Sequence, residues 1–343
     1  MGPKLTYSQS SGIYLLEGIR VVLLPRGSLE AVQEAVNKIL GLATKSIFEE
    51  AMSTVTYSFL TDMMNKKIIR KHSEDKMIDD VFTLFKEMGF GRMGLIGKDL
   101  NTYTITIEKG FNSLNYGGKA MPNCFEELGH LKAIFRVILE REVTVEEDKC
   151  RAVGDSDMDV FKVTAIGDRQ QYTYIPSMAL NINQDQENIE PTQNGSEILV
   201  NSIPVEIIPV TLFPYLFSKL RNIVGLGVYG IENNIGMIIG KLYNSSKFEA
   251  ITAKYNIDGP KILSPLIGIG LTKLNITDAG LESIDIIESF NALHVDELRE
   301  KRCFLISGLL SSLSYGFWGN PVTFKESSCS AVEGDACRFV MSQ

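Results

Sequence analysis

Cysteine and glutamate residues recur in this 343-residue chain at matched spacings. The later set consists of Cys303, Glu326, Cys329 and Cys337. Thiolates and carboxylates bind zinc, and a structural zinc site holds four such ligands in a tetrahedron. Three thiolates and one carboxylate suit Zn²⁺ better than hard cations such as Mg²⁺. The set therefore predicts a structural zinc site, with buried cysteines that bind no metal as the alternative.

A second set of the same residue types lies earlier in the chain, at Cys124, Glu147 and Cys150, and its internal spacing is identical to that of the later set. At this offset the position equivalent to Cys337 is Met158, which is a poor zinc ligand. The neighbouring Asp157 would replace it if the register shifted by one position. We favour a degenerate site here, with buried thiols and no metal, and therefore expect about one zinc ion per chain.

The offset that relates Cys124 to Cys303 extends well beyond the cysteines. Gly89 and Gly91 match Gly268 and Gly270 without a gap, as do many apolar positions up to Val153 and Val332. A long ungapped match with a domain-sized period indicates a tandem pair of domains. Upstream the register slips, and Leu24-Pro25 and Ile208-Pro209 match only weakly at another offset. We predict copy one over residues 1–166, a polar linker over 167–197 that is partly disordered, and copy two over 198–343.

The elements of each copy follow one order: helices first, then a hairpin, a helix and a second hairpin. In copy one, helical spacing covers Ser28 to about Met64 and the segment after Ser73, and strand-forming residues cluster at Tyr103 to Glu108. This order predicts the α+β class, with an antiparallel sheet packed on helices in each of the two copies.

Composition narrows the function classes. The formal charge of −8 argues against nucleic-acid binding, which depends on Lys and Arg. The most apolar region, Ile203 to Leu242, is broken by prolines and charges, so we expect no membrane span. An odd number of cysteines without an apolar signal core fits a reducing compartment, so we expect a cytoplasmic protein.

The C-terminal motif resembles the 4-vinyl reductase domain family. That family shows a Cys at the last helix, a Glu-x-x-Cys at a strand end, then Ala, Gly-Asp and a Cys-x-Phe strand. Here the motif is carried by Cys303, Glu326-Ser-Ser-Cys329, Ala331, Gly334-Asp335 and Cys337-Arg-Phe339. The match covers the C-terminal part of copy two well. Copy one matches through Cys124, Gly129, Glu147, Cys150 and Gly154-Asp155 but lacks the final cysteine.

The resemblance implies the ligand-binding fold of transport-particle subunits and NO-signalling domains, which holds hydrophobic or aromatic small molecules between helices and sheet. It also implies that Cys303, Glu326, Cys329 and Cys337 bind structural zinc. The first hypothesis is a non-enzymatic sensor or adaptor. The second is an enzyme or accessory factor acting on a tetrapyrrole or aromatic substrate. The third is an assembly or scaffold protein in which the two copies form a built-in dimer. A homodimer and a protein partner stay open.

Two further features have structural interpretations. The pattern Gly89-Phe-Gly91-Arg-Met-Gly94 follows a helix and precedes a strand, so we interpret it as a tight turn rather than a dinucleotide site. An aromatic cluster in the apolar part of copy two is typical of core, with a ligand pocket as the alternative; its members are Phe213, Tyr215, Phe217 and Tyr229. We also expect the helical segments Ser28 to Met64 and Ile207 to Leu242 to pair the two copies about a pseudo-twofold axis.

Overall fold

The computed structural model describes residues 3–108, 124–154, 156–168, 172–176, 185–194, 197–245, 259–277, 280–292, 301, 303–318 and 320–342. These residues form two compact units. Unit 1 comprises Met1–Pro3, Leu40–Ser177 and Gln193–Ile198; unit 2 comprises Lys4–Ile39, Met178–Thr192 and Leu199–Gln343. The segment Lys4–Ile39 of predicted copy one therefore belongs to the unit that contains most of copy two.

Unit 1 is built on a four-stranded antiparallel sheet with the strand order β4-β5-β7-β6. Its helices are α2 (Ala43–Asn65), α3 (Glu74–Glu87) and α4 (Phe125–Leu139). Its strands are β4 (Arg92–Lys98), β5 (Thr102–Glu108), β6 (Glu142–Lys149) and β7 (Asp159–Gly167). The inward-facing residues of β5 and β7, such as Ile105 and Phe161, are fully buried. The helices and sheet of unit 1 thus enclose one apolar core.

Unit 2 contains a sheet of the same order, β12-β13-β15-β14. Its helices after the linker are α5 (Leu212–Val224), α6 (Val228–Ser245), α7 (Leu263–Ile267) and α8 (Phe304–Trp318). The strands of this sheet are β12 (Leu271–Thr277), β13 (Gly280–Ile287), β14 (Thr323–Ser328) and β15 (Ala336–Ser342). Both units therefore combine helices with an antiparallel sheet, which confirms the predicted α+β class.

Unit 2 also holds a second antiparallel sheet, in which strands from the beginning of the chain join strands that precede α5. Within it the order is β8-β1-β2-β3-β11-β10. Its strands are β1 (Leu5–Ser8), β2 (Ile13–Leu16), β3 (Ile19–Pro25), β8 (Gln186–Ile189), β10 (Glu197–Val200) and β11 (Ile203–Pro209). Most of the short strand β9 (Thr192–Asn194) and the start of β10 are assigned to unit 1. Strand β3 leads into helix α1 (Ser28–Leu40), just as β11 leads into α5. Every residue of β3 is buried, which explains its nearly unbroken apolar sequence.

The described residues bear on several of the sequence expectations. The chain begins with strands β1 to β3, which the element order predicted for copy one did not include. Part of the predicted linker is ordered, because β8 pairs with β1 from Leu5↔Ile189 to Ser8↔Gln186. The last described helix is Phe304–Trp318, and the helix start predicted near Val295 lies outside the described residues. The glycines of the rejected dinucleotide motif do make a turn, with φ of 92° at Gly89 and 81° at Gly91.

The paired helices of each unit approach closely at glycines. A Cβ added at Gly129 in α4 would lie 2.7 Å from the Glu49 carbonyl oxygen in α2. The equivalent Gly308 in α8 would place a Cβ 2.0 Å from the Asn233 carbonyl oxygen in α6. The residue numbers of Glu49 and Asn233 differ by the same amount as those of Leu24 and Ile208. The sequence offset that relates Leu24 to Ile208 therefore also relates helix α2 to helix α6.

The sequence predicted no membrane span, but one helical stretch of unit 2 meets the length and composition criteria for one. A single turn joins α5 to α6, so that 33 residues from Leu212 to Asn244 are helical and apolar enough to cross a membrane by length and composition. One such stretch is weak evidence, because a buried core helix of a soluble protein passes the same test. Leu216, Leu220, Ile235 and Ile239 of this stretch are buried within unit 2.

Candidate metal centres

Three elements of unit 2 bring the predicted zinc ligands together. Cys303 immediately precedes α8, and its carbonyl accepts the N–H of Ser307 in the first turn. Glu326 lies near the end of β14, and Cys329 follows that strand. Cys337 is the second residue of β15, which pairs with β14. The hairpin and the helix start thus converge, as the spacing of the four residues predicted.

The four donor atoms of Cys303, Glu326, Cys329 and Cys337 all lie within 4.8 Å of one another. The Cys303 Sγ is 3.9 Å from the Cys329 Sγ and 3.2 Å from the Cys337 Sγ, and the sulfurs of Cys329 and Cys337 are separated by 3.9 Å. In a tetrahedral site with Zn–S bonds of about 2.3 Å, two sulfurs lie about 3.8 Å apart. The three cysteines are fully buried, so the cluster is closed to bulk water.

Hydrogen bonds hold the ligand atoms in place. Glu326 accepts the backbone N–H of Cys303 through Oε2 at 3.1 Å, whereas its buried Oε1 has no hydrogen-bond partner among the described residues. The backbone N–H of Ser330 lies 3.4 Å from the Cys337 Sγ. Such contacts around a metal ligand orient it and tune its basicity. The Oε1 atom is the carboxylate oxygen left to bind a cation.

Burial and mutual contact shift the pKa values of these groups. Burial raises the pKa of Glu326 to about 8, and it raises the pKa of the Cys303 thiol well above its usual range. Hydrogen bonds with Cys303 and Cys329 lower the pKa of Cys337 to about 4. The neighbours of Cys337 therefore favour its thiolate, whereas burial favours the neutral forms of Cys303 and Glu326. A divalent cation would favour the charged form of all the donors.

The corresponding cluster of unit 1 has four donors rather than three. Cys124, Glu147, Cys150 and Asp159 offer ligand atoms within 4.8 Å of one another. The residue that lies with the other three donors is Asp159, and not Met158 or the neighbouring Asp157 that the ungapped offset indicated. The Cys124 and Cys150 sulfurs are 3.7 Å apart and both residues are buried, as is Asp159.

The turn between the hairpin strands explains this correction. Glu147 pairs with Phe161, and Glu326 pairs with Phe339. The turn of copy one is therefore one residue longer, and Asp159 stands two positions before its phenylalanine as Cys337 stands two before Phe339. A gap placed at the Asp-x-Phe and Cys-x-Phe motifs would have found Asp159 from the sequence.

The unit 1 cluster is also strongly perturbed. Burial raises the pKa of Glu147 to about 9. A hydrogen bond with Cys150, together with burial, raises the pKa of Cys124 well above its usual range. The Oε1 atom of Glu147, like that of Glu326, has no hydrogen-bond partner among the described residues. Each cluster thus places a carboxylate beside buried thiols.

The four aromatic residues predicted as core or pocket are packed closely. Phe213 is fully buried, and Tyr215 and Phe217 are nearly so. Tyr229 stacks on Phe304 with 4.3 Å between ring centroids. A cavity of about 30 Å³ lies against Phe217 and Tyr229, which is room for a water molecule but not for an aromatic ring. The ligand pocket at these residues stays a prediction.

A much larger cavity, of about 710 Å³, lies elsewhere in unit 2, between β1, β2 and β8 on one side and α7 and β12 on the other. Its wall combines aromatic and apolar groups, including Tyr7, Tyr14 and Pro265, with polar ones such as Lys261 and Glu187. Tyr14 is fixed there, because its hydroxyl donates to the Pro265 carbonyl at 2.6 Å. No sequence motif marked this cavity, since residues far apart in the chain form it.

No protein-family model and no curated protein match the chain. Solved structures are similar to part of the chain. The phenol-responsive sensory domain of the transcription activator PoxR, solved with phenol, is similar at 17% identity and a TM-score of 0.38, over 45% of this chain and 80% of its own. A trafficking protein particle complex subunit 3 from Naegleria fowleri, covalently bound to palmitic acid, is similar at 13% identity and a TM-score of 0.33, over 42% of this chain and 98% of its own. A vinyl-4-reductase family protein from Methanocaldococcus jannaschii is similar at 22% identity and a TM-score of 0.23, over 32% of this chain and 77% of its own.

Proposed function

We propose that the chain is a non-enzymatic sensor or adaptor that binds a small hydrophobic or aromatic molecule, with a structural zinc ion in copy two. The observation that carries the zinc assignment is the convergence of Cys303, Glu326, Cys329 and Cys337 within 4.8 Å. Four protein donors complete the coordination of zinc and leave no position for a reacting water, which is typical of a structural site. The resemblance noted in the sequence implies the same ligand set.

The large cavity of unit 2, with its volume of about 710 Å³, supports the binding of a small molecule. Pockets for such ligands measure about 300–1,000 Å³ and combine an apolar wall with a few polar groups. The wall described above has this composition, with Tyr7 and Leu271 among its apolar members and Lys261 among its polar ones.

Native mass spectrometry of the full chain, purified without added metal, tests both parts. We expect a zinc ion that Cys337→Ser removes, together with a co-purified small molecule or stabilisation by members of a panel of phenols and fatty acids. Leu271→Trp should abolish the stabilisation because Leu271 lines the cavity, whereas Ile276→Trp on the exposed face of β12 should not. Absence of zinc would overturn the metal assignment. A coloured protein carrying a tetrapyrrole would favour the enzyme hypothesis instead.

The pairing of β3 with β11 favours a second candidate, the assembly role. It joins a strand of predicted copy one to a strand of copy two, from Val205↔Pro25 to Pro209↔Val21. A chain that contains both halves of such an arrangement resembles a dimer fused into one polypeptide. Scaffolding without a ligand would be indicated if the protein co-purified with a partner protein and if the panel caused no stabilisation.

A further inference from the structure

We propose that copy one carries a second metal site, in which Cys124, Glu147, Cys150 and Asp159 bind a divalent cation of the zinc class. Its ligand set would be two thiolates and two carboxylates. It is separate from the copy two site on which the proposed function rests, and it changes the expected content from about one metal ion per chain to two.

The geometry of the donors supports a four-coordinate site. They come from the start of α4, the end of β6, the turn that follows and the first residue of β7, and all lie within 4.8 Å of one another. The two sulfurs are 3.7 Å apart, close to the tetrahedral edge of about 3.8 Å expected for zinc. Two packed thiols also reach that distance without a metal, so the two carboxylates decide between the interpretations.

The carboxylates are difficult to explain as packing. Asp159 is fully buried and lies beside Glu147, whose Oε1 is buried without a hydrogen-bond partner among the described residues. Placing two ionised carboxylates beside two thiols in a protein interior costs free energy that a shared cation would offset, and buried charges are generally paired or coordinate metals. Zinc accepts both donor types at bond lengths of about 2.0–2.3 Å.

The backbone holds Asp159 in the place that Cys337 occupies in copy two. The backbone N–H of Arg151 donates to Asp159 Oδ1 at 2.8 Å, and that of the equivalent Ser330 lies 3.4 Å from Cys337 Sγ. The turns agree as well, since Val153 donates to the Cys150 carbonyl and Val332 to that of Cys329. Copy one therefore keeps the scaffold of the site and changes one ligand from sulfur to oxygen.

That change predicts a weaker and chemically harder site than the one in copy two. Soft thiolate ligands favour zinc and softer metals, whereas carboxylates suit harder cations. With two thiolates instead of three, copy one should release Zn²⁺ to a chelator before copy two does. It should also give a weaker thiolate-to-metal charge-transfer absorption when Co²⁺ is used as the probe.

Metal titration of the full chain tests the proposal. The chelator-treated wild type should take up two equivalents of Zn²⁺ or Co²⁺, and Asp159→Asn should take up one. Asp157→Asn is the matched control, because it makes the same change at an exposed residue of the same turn and should keep two. Asp159→Cys should keep two equivalents, tighten the weaker one and strengthen its Co²⁺ absorption. This variant restores the ligand set of copy two and guards against a folding defect in Asp159→Asn.

The outcomes separate this proposal from the function above. One equivalent in the wild type that Cys337→Ser removes and Asp159→Asn leaves would overturn the second site and keep the first. Two equivalents in both the wild type and Asp159→Asn would overturn the assignment of Asp159. An Asp159→Cys protein that binds metal no more tightly than the wild type would also overturn it.

Discussion

Leu23 and Ile207 lie directly opposite one another in the β3–β11 pair. They are separated by the same interval that relates Glu49 to Asn233 and Pro25 to Pro209. The two strands are antiparallel. A β3 residue that precedes Leu23 therefore lies opposite the β11 residue whose equivalent in β3 follows Leu23 by the same number of positions. The pairing thus has a local pseudo-twofold axis at these two residues. The predicted pairing of the copies assigned much of the interface to the helical segments Ser28 to Met64 and Ile207 to Leu242, and it did not include this strand contact.

The symmetry of this pairing predicts how the C-terminal half behaves by itself. A chain of residues 178–343 lacks β3 and exposes β11 as an edge strand, which is a template for pairing with another chain. We expect it to form a homodimer in which two β11 strands pair about Ile207. Size-exclusion chromatography with light scattering would measure this. A folded monomer would contradict it, and a Pro substitution at Ile207 should weaken the dimer because it removes a ladder donor.

Loss of one zinc ligand should destabilise unit 2. Structural zinc contributes directly to folding free energy, and losing a metal ligand set is among the few single changes that cost more than about 4 kcal/mol. For Cys329→Ser we expect the melting transition of unit 2 to fall by on the order of 10 °C. Calorimetry should then show a split transition. Cys150→Ser is the matched control and should lower the transition of unit 1 instead. An unchanged profile in Cys329→Ser would argue against a structural metal.

His130 should make unit 1 sensitive to acid. It is buried between Phe85 and Phe90 and shares a hydrogen bond with Thr56, and burial lowers its pKa to about 3. A pKa lowered in the folded state contributes stability that is present above the unfolded value of about 6.5 and is lost as the pH falls towards 3. We expect about 1.4 kcal/mol of lost stability per pH unit below 6.5 from this group.

Leucine is the substitution that tests this effect, because Leu309 stands at the position of the other copy that is equivalent to His130. In His130→Leu, the stability of unit 1 should fall less steeply between pH 6.5 and 4.5 than in the wild type, by about 2 kcal/mol over the window. Urea unfolding at a series of pH values measures it. His72→Leu, at an exposed position, should keep the wild-type dependence. Parallel profiles for wild type and His130→Leu would contradict the prediction.

Two glycines of α6 should respond in opposite directions to the same substitution. A Cβ at Gly236 would lie 2.0 Å from the Leu305 carbonyl oxygen, whereas a Cβ at Gly230 would meet nothing within 4 Å. Gly236→Ala should therefore destabilise unit 2 by roughly 1–3 kcal/mol through overpacking. Gly230→Ala should stabilise it by up to about 1 kcal/mol through helix propensity. Equal effects of the two substitutions in denaturant unfolding would show that α6 and α8 do not cross this closely.

The elements that sequence reasoning found are those defined by local pattern. Helical spacing identified α3, and the repeated Cys, Glu, Cys spacing identified both clusters, because periodicity and motif spacing act over short stretches. The sequence of strand β3 contains no local pattern that predicts which strand it pairs with. Its apolar run fits a buried strand, but its partner β11 lies beyond the whole of predicted copy one, and nothing local specifies that partner.

The site shows the same limit on a smaller scale. An ungapped offset put Met158 at the fourth ligand position, whereas strand register puts Asp159 there. One extra residue in a turn is inexpensive, because surface turns tolerate insertions. The pairing partners of the flanking strands, in contrast, are fixed by which face is buried. Ligand assignments next to a turn therefore depend on the strand register, here on Phe161 and Phe339.

The division of unit 2 into separate stretches of chain has a consequence for biosynthesis. The segment Leu40–Ser177 of unit 1 emerges from the ribosome as one continuous stretch and can pack as soon as it is made. Strand β3 is finished first but must wait for β11, which at about 5–20 residues per second takes roughly 10 to 40 seconds. During that interval its apolar residues lack their partner strand, and they are a natural binding segment for a chaperone. Strand β3 is thus synthesised before the segment Leu40–Ser177 but reaches its final place after it.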